Sequence, residues 1–234
     1  MSTATTRRVT TAFQSGPLAV RSFRLLAGGQ FASTLGDYCY AVALPWLVLS
    51  NHGSTILLGT LLACYGVPRT VLIPVGGILA DKLGPRTLML FTDVLRCAMV
   101  GVLTFLAARH TVSLVTLGPT AAVIGGCEGL FLPASFTIMP SLLDDTQLTA
   151  GNALNQTAIQ AGSLIGPAIG GALVAVTGAS TAAFGIDAVS FALSALSLAL
   201  IPRRPAARPV RRDPRGRPRR RRRPPRSRGP PRGT

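Results

Sequence analysis

Three charged side chains, Asp37, Arg69 and Glu128, lie deep inside long apolar stretches of this 234-residue sequence. Asp37 is twelve residues from the start of its stretch at Leu25, and Arg69 and Glu128 are each twelve residues before the first residue beyond theirs, Asp81 and Pro140. In a helix that rises about 1.5 Å per residue, twelve residues correspond to a depth of about 18 Å. An ionisable group in such surroundings costs several kcal/mol unless it is paired or hydrated. The chemistry open to these residues is ion pairing and the uptake and release of a proton.

Enzymatic and metal chemistry find no support in the sequence. The two histidines, His52 and His110, lie in connections between apolar stretches, and the sequence has neither a nucleotide-binding P-loop nor a metal-ligand cluster. No C-x-x-C pair occurs, so neither a disulfide nor a zinc site is predicted. We therefore predict no enzyme, no cofactor and no metal ion. The four cysteines all fall inside apolar stretches: Cys39, Cys64, Cys97 and Cys127.

Composition indicates a membrane protein. Hydrophobic residues make up 48% of the chain and charged residues only 14%, whereas a soluble domain carries roughly a quarter of its residues as charge. The net charge of +16 comes mostly from residues 202–234, which hold fifteen arginines and one acid. Residues 1–201 are nearly neutral, with nine basic and seven acidic groups.

Six apolar stretches of twenty or more residues supply the hydrophobic content. Each is long enough to cross about 30 Å of hydrocarbon as a helix. They lack the period-two alternation of transmembrane barrel strands, and six of them in succession argue against buried helices of a soluble protein. We predict an all-α membrane protein with six transmembrane helices. The stretches are residues 25–49, 55–80, 87–108, 112–139, 148–176 and 181–201.

The basic residues predict the orientation in the membrane. If the six stretches alternate, Arg109 is the one basic residue on the outer side. Arg69 and Arg96 lie within stretches, and the other basic residues lie on the inner side together with the tail, in agreement with the positive-inside rule. This gives a flexible cytoplasmic N-terminus at 1–22, a six-helix membrane unit at 23–201 and a cytoplasmic tail at 202–234. The inside group outside the tail comprises Arg7, Arg8, Arg21, Arg24, Lys82 and Arg86.

The charged connection between the second and third stretches, residues 77–86, reads GILADKLGPR, and Gly84 and Pro85 supply its turn. It resembles the signature G-x-L-A-D-[RK]-x-G-[RK]-[RK] between helices 2 and 3 of the major facilitator superfamily. The resemblance implies that Asp81 and its basic neighbours lock and release a cytoplasmic gate. Pro85 replaces a basic residue of the signature, and a charged turn that only fixes topology is the alternative. The gating residues are Gly77, Asp81, Lys82, Gly84 and Arg86.

A second motif lies in the fifth stretch and reads G-x-x-x-G-P-x-x-G-G. Small-residue packing explains glycine spacing in any membrane helix, but the complete string resembles the motif of the antiporter branch of the same superfamily. Residues 24–49 and 151–155 resemble bacterial exporters that include the enterobactin exporter and macrolide-efflux proteins. The motif residues are Gly162, Gly166, Pro167, Gly170 and Gly171.

The resemblance covers residues 23–201, which correspond to one six-helix half of a protein normally built from two. It implies a multi-pass protein of the bacterial cell membrane that works with a second half or as a homodimer. Helices 1, 2, 4 and 5 of the family line a central cavity, so Asp37, Arg69 and Glu128 would converge there.

Two interpretations of these charges stay open. In the first, Asp37 pairs with Arg69, and Glu128, or Asp37 in exchange, takes up and releases a proton. In the second, a static charge network holds the helices together. The fourth stretch lacks the intramembrane arginine of many proton-coupled members. Asp93 and Arg96, three residues apart in the third stretch, are predicted partners of the gating loop, and Asp187 in the sixth is predicted to pack.

The tail at 202–234 combines fifteen arginines with nine prolines and contains no aromatic residue, so we predict that it is disordered. A polybasic segment attracts anionic lipid headgroups and could bind nucleic acid without sequence preference, the less favoured partner here. Alternatively, the tail is the product of a frameshift or truncation that replaced a second half.

Two functions follow from the sequence. The first is secondary active transport: proton-coupled export of small amphipathic molecules such as drugs or siderophores. The alternative is a truncated, non-transporting membrane fragment whose polybasic tail contacts anionic lipid or nucleic acid.

Overall fold

Six long helices make up nearly all of the described chain. The computed structural model describes residues 16–50, 53–109, 111 and 113–202. A 3-10 turn, Pro17–Ala19, precedes the first long helix, and one further helical turn, Met139–Leu142, follows the fourth. The long helices are α1 (Arg21–Ser50), α2 (Thr55–Leu83), α3 (Pro85–Ala108), α4 (Leu114–Thr137), α5 (Leu148–Thr177) and α6 (Thr181–Leu200).

The predicted all-helical membrane fold is confirmed, and its architecture is consistent with one half of the transporter fold that the resemblance implies. Five of the described helices, α2 to α6, are long and apolar enough to cross a membrane. The helix α1 has thirty residues, but polar side chains lower its hydropathy. Of the two predicted terminal segments, residues 1–15 and 203–234 lie outside the described residues.

Local sequence explains where the helices begin and end. The Oγ of Ser54 accepts a hydrogen bond of 3.2 Å from the backbone N–H of Leu57 and so caps the start of α2. At the end of α5, Gly178 adopts φ 66° and its N–H bonds to the carbonyl of Val174, a typical glycine C-cap. Helices α2 and α3 are separated by Gly84 alone, which adopts φ 85°. Pro85 then starts α3, where its missing N–H is not needed.

The helices do not pack in chain order. Helix α1 packs against α5 and α6, α2 packs against α4, and α3 packs against α6 and α4. Although α2 and α3 are joined by a single residue, they make few contacts with each other. Residues far apart in the chain therefore meet in the interior.

Two apolar clusters form the core, with a polar layer between them on four helices. Along α1, Phe23 and Leu26 belong to one cluster, and Cys39 to Val48 belong to the other. On α3, Leu88 and Met89 belong to the first cluster, and Val100 and Leu103 to the second. Helices α2 and α4 show the same division. Ala80 of α2 and Ile138, the residue after α4, belong to the first cluster, and Leu61 of α2 and Leu117 of α4 belong to the second. The residues between these positions include the charged groups singled out in the sequence.

Candidate functional site

A cavity of about 390 Å³ lies within the polar layer. Helix α1 provides its main polar wall through Gln30, Ser33, Thr34 and Asp37, which recur at the spacing of one helix face. The side chains of Tyr65, Arg69, Glu128, Phe131, Ser135 and Ile159 add contributions from α2, α4 and α5, and Arg96 adds one from α3. The three deep charges of the sequence thus meet in one cavity, as the resemblance implies.

Arg69 and Glu128 form an ion pair across α2 and α4. The Nη2 of Arg69 lies 3.1 Å from Oε1 of Glu128, with 40% and 23% of the two side chains exposed. The hydroxyl of Tyr65, one turn before Arg69, donates to the second carboxylate oxygen of Glu128. The guanidinium carbon of Arg69 also lies 5.9 Å from the centre of the Tyr65 ring, within cation–π range. Glu128 is therefore held from both oxygens by side chains of α2.

Asp37 and Arg96 form a second ion pair, between α1 and α3. The Nη1 of Arg96 lies 3.7 Å from Oδ2 of Asp37. Only 2% of the Arg96 side chain is exposed, against 32% for Asp37, which opens onto the cavity. The guanidinium is enclosed by two aromatic rings, Phe131 at 5.3 Å and Phe191 at 5.1 Å. Arg96 thus approaches the cavity wall from the protein interior.

These partners differ from those expected. The sequence pairs Asp37 with Arg69, but α2 packs on α4, so Arg69 reaches Glu128. Asp37 is left to Arg96, which the sequence assigns to the gating loop. Because Arg96 lies eleven residues beyond Pro85, it is about 16 Å along α3 from that loop. Equal depth indicates that charges can meet, but helix packing decides which of them pair.

Glycines bring α2 and α4 close enough for the first pair. A Cβ on Gly125 would collide with the carbonyl oxygen of Tyr65, and one on Gly129 with the carbonyl oxygen of Arg69. From the other side, a Cβ on Gly76 would lie 2.8 Å from Cα of Leu130. Helix backbones approach this closely only where side chains are absent. The glycines next to Glu128 therefore set the distance between its helix and that of Arg69.

The glycine motif of α5 packs against α1. Added Cβ atoms would lie 3.0 Å from the carbonyl oxygen of Phe31 at Gly162, 2.7 Å from that of Leu35 at Gly166 and 3.0 Å from that of Cys39 at Gly170. Gly171, next along the chain, faces open space within 4 Å, and Pro167 lies inside the helix without ending it. Three of the four motif glycines thus form one face against the helix that carries Asp37.

The gating motif is more helical than its sequence indicates. Helix α2 continues through Asp81 and Lys82, both exposed, as far as Leu83. Within the described ranges Asp81 makes no ion pair. Arg86 instead reaches α6, donating from Nε to the carbonyl of Leu198 and from Nη2 to that of Ala199, both at 2.8 Å. Unpaired carbonyls at a helix C-terminus are natural partners for a cation.

Two further acids lie behind the cavity. Asp93 is fully buried, and its Oδ2 accepts a hydrogen bond of 2.6 Å from Ser194 of α6. The sequence predicts Asp93 as a partner of the gating loop, but the side chain turns toward α6. Asp187 is 1% exposed and packs beside Gly36 of α1. The sequence predicts that Asp187 packs in the interior, and the structure places it there. Its neighbours, however, include charged residues.

Several lining residues escaped sequence reasoning. The polar stripe on α1, from Gln30 through Ser33 and Thr34 to Asp37, follows helical spacing and could have been recognised from it. Gln30 also accepts a hydrogen bond of 2.6 Å from Asn155 of α5. No sequence pattern predicts that Arg96 lines the cavity, because this depends on which face of α3 is turned toward the cavity. Among the described residues, no group of His, Cys, Asp and Glu is arranged to hold a metal ion.

Comparison with known proteins identifies relatives. The family model described as Major Facilitator Superfamily matches residues 26–230. The multidrug efflux pump Tap of Mycolicibacterium fortuitum is 29% identical over 166 residues, 68% of this chain and 39% of the pump. The staphyloferrin A transporter of Staphylococcus aureus is 28% identical over 149 residues, 62% of this chain and 37% of the transporter. The matches therefore span little more than a third of these relatives.

Proposed function

Because the chain belongs to the major facilitator superfamily, a family of transporters rather than enzymes, we propose that it is the N-terminal half of a proton-coupled exporter. The cargo is a small amphipathic molecule, such as a drug or a siderophore. The chain is a multi-pass membrane protein. We place it in a bacterial cell membrane with both termini in the cytoplasm.

The observation that carries this proposal is a cavity in which two ion pairs face aromatic and apolar side chains. Arg69, Glu128 and Asp37 supply charged groups, whereas Tyr65 and Phe131 supply flat apolar surface. A site of about 390 Å³ falls in the size range of small-molecule pockets. This mixture suits a molecule that has both a polar and an apolar part. The printed names of the relatives, a multidrug efflux pump and a siderophore transporter, agree with such cargo.

Proton coupling is assigned to Glu128 and Asp37. Each carboxylate is paired with an arginine at the edge of the cavity, so uptake of a proton would free that arginine. Release of the pair would change both the charge that the cargo meets and the restraint between two helices. The transport cycle needs this link, because a gradient does work only if ion binding and conformation depend on each other.

Alternating access requires two halves that rock about a central site. We propose that a second six-helix half, or a second copy of this chain, closes the cavity. Residues 77–86 would then act at the cytoplasmic gate. The hydrogen bonds of Arg86 to the end of α6 support this role, since they tie the gate region to a second helix.

Energy-dependent efflux tests the proposal. Cells that produce the full chain, alone and together with a C-terminal six-helix half from a relative, are loaded with ethidium, a fluorescent amphipathic cation. We expect faster dye loss than in cells with an empty vector, and we expect a protonophore to abolish the difference. Absence of any difference in both arrangements would overturn the transport proposal and leave the non-transporting fragment as the explanation.

A further inference from the structure

A buried cluster with more acids than cations lies behind the cavity, between α1, α3 and α6. It consists of Asp93, Arg96 and Asp187, and it reaches the cavity through Arg96, which lines the cavity and pairs with Asp37. Asp93, Arg96 and Asp187 are all at most 2% exposed. Among the described residues, the only ion pair of Arg96 is with Asp37, at 3.7 Å. Neither Asp93 nor Asp187 forms an ion pair within those same ranges.

Arg96 lies between the two buried acids. Its guanidinium rests on the ring of Phe191 in α6, at 5.1 Å. Asp187 lies four residues before Phe191, and Ser194, which donates to Asp93, lies three residues after it. Residues at these spacings share one face of a helix. The guanidinium therefore has one carboxyl on either side along α6.

Both the acids and the arginine keep hydrogen-bonding capacity that is not used. Oδ1 of Asp93 and Oδ1 of Asp187 are buried without a hydrogen-bond partner, and so are Nε and Nη2 of Arg96. A carboxylate that is buried without a cation or a full set of donors is strongly unfavourable, whereas the neutral acid is much less so. Two ionised acids here would leave uncompensated negative charge inside the membrane-spanning unit.

Within the part of the chain that the structure describes, no other neighbour supplies the missing positive charge. The other ionisable groups that face the cluster are Cys39 and Tyr40 on α1, Cys97 on α3 and Cys127 on α4, while Glu128 on α4 faces Asp37. None of these groups is a cation, and α5 carries no charged side chain. Arg69 of α2 is engaged by Glu128.

From these contacts we propose that Asp93 and Asp187 form a proton-binding site, connected to the cavity through Arg96. In the present conformation both carboxyls are neutral, and the charge of Arg96 is balanced by Asp37. When Arg96 leaves Asp37 for Asp93, the proton of Asp93 passes to Asp37, which opens onto the cavity. One guanidinium and one carboxylate remain paired before and after the step, so the buried charge does not change. The use of this proton in transport rests on the proposed function, but its presence does not.

Infrared spectroscopy of the purified full chain in dodecyl maltoside, a detergent that has no carbonyl group, tests the site without transport. A protonated carboxyl has a carbonyl stretching band apart from the bands of a carboxylate. At neutral pH we expect this band in the wild type, about half of it in Asp93→Asn and in Asp187→Asn, and none in the double variant. The matched control Asp144→Asn removes an exposed acid and should leave the band unchanged. Absence of the band in the wild type, or its survival in the double variant at full strength, would overturn the proposal.

Proton counting gives a second readout that needs no variant. Unfolding the wild-type chain at pH 7 should release about two protons, because both acids ionise once they reach water. Release of no proton would contradict the proposal even if every Asn variant failed to fold.

The link to the cavity is tested by Asp37→Asn. Once Asp37 can no longer balance Arg96, the guanidinium should draw a carboxylate from the pair, and about half of the band should disappear. Since the double variant has already excluded a protonated Asp37, that loss must come from Asp93 or Asp187. An unchanged band would refute the partner exchange. If dye efflux fails while the infrared bands behave as expected, the transport proposal is refuted and the proton-binding site is not.

Discussion

The thiol of Cys39 in α1 donates a hydrogen bond of 3.2 Å to the backbone carbonyl of Gly166 in α5, a residue 127 positions later in the chain. This bond is possible because α5 has no side chain at Gly162, Gly166 and Gly170, where it meets α1. The helix that carries Asp37 is thereby held against the helix with the glycine motif.

The first prediction concerns two adjacent glycines of α5. In Gly170→Ala the new Cβ would lie 2.9 Å from Cα of Cys39, so α1 and α5 must move apart. We expect a loss of about 1–3 kcal/mol in the free energy of unfolding. Gly171→Ala is the matched control, since its Cβ meets open space and alanine favours a helix by about 1 kcal/mol. Thermal unfolding in detergent measures both, and equal midpoints would contradict the close α1–α5 contact.

The second prediction concerns α4. Gly129→Ala would push against the carbonyl of Arg69 and separate α2 from α4, whereas Gly118→Ala in the same helix meets nothing within 4 Å. We expect only Gly129→Ala to lower the thermal midpoint and to lengthen the distance between Arg69 and Glu128. Spin labels on exposed positions of α2 and α4 can report the separation. If both variants leave it unchanged, glycine does not set the spacing of this ion pair.

The third prediction tests Glu128 in transport. Glu128→Gln keeps the shape of the side chain but cannot take up a proton, so we expect protonophore-sensitive efflux to fall by on the order of tenfold or more. Asp144→Asn, which also removes one acid but at an exposed position, serves as the control. Efflux in Glu128→Gln at the wild-type rate, with wild-type amounts in the membrane, would remove Glu128 from the proton path.

The fourth prediction concerns Arg86. Replacing it by alanine removes two hydrogen bonds from a charged donor to the end of α6, and we expect a loss of about 1.5–3 kcal/mol in stability. Arg86→Lys should restore part of this, because the charge remains but the planar two-pronged donor is lost. Lys82→Ala, at an exposed position in the last turn of α2, should have little effect. A stability loss in Lys82→Ala as large as in Arg86→Ala would point to general charge effects.

The sequence was sufficient for the helices but less so for their ends. Apolar length predicts all six, since each must satisfy its own backbone in the membrane. The predicted ends differ where charged residues continue a helix: α1 begins at Arg21, and α2 runs on through Asp81 and Lys82 to Leu83. A charge near a helix end does not break it, whereas Gly84 with φ 85° does.

Depth along each helix predicted which charges share a layer, because it needs only a count of residues. Partner choice requires the rotation and the neighbours of each helix, and these depend on glycine contacts between distant segments. Gly125 and Gly129 bring Arg69 to Glu128, and no feature of α3 alone reveals that Arg96 faces Asp37. The roles of these charges in transport stay predictions.

The single-residue joint at Gly84 also bears on how the chain enters the membrane during synthesis. Because a single residue joins them, we expect the insertion of α2 and that of α3 into the bilayer to be coupled. If the joint lies in the cytoplasm, as we propose, the charges beside it do not need to pass through the hydrocarbon. Lengthening the joint by a flexible segment would uncouple the two insertion events. We expect such a change to affect membrane insertion before it affects the stability of the folded protein.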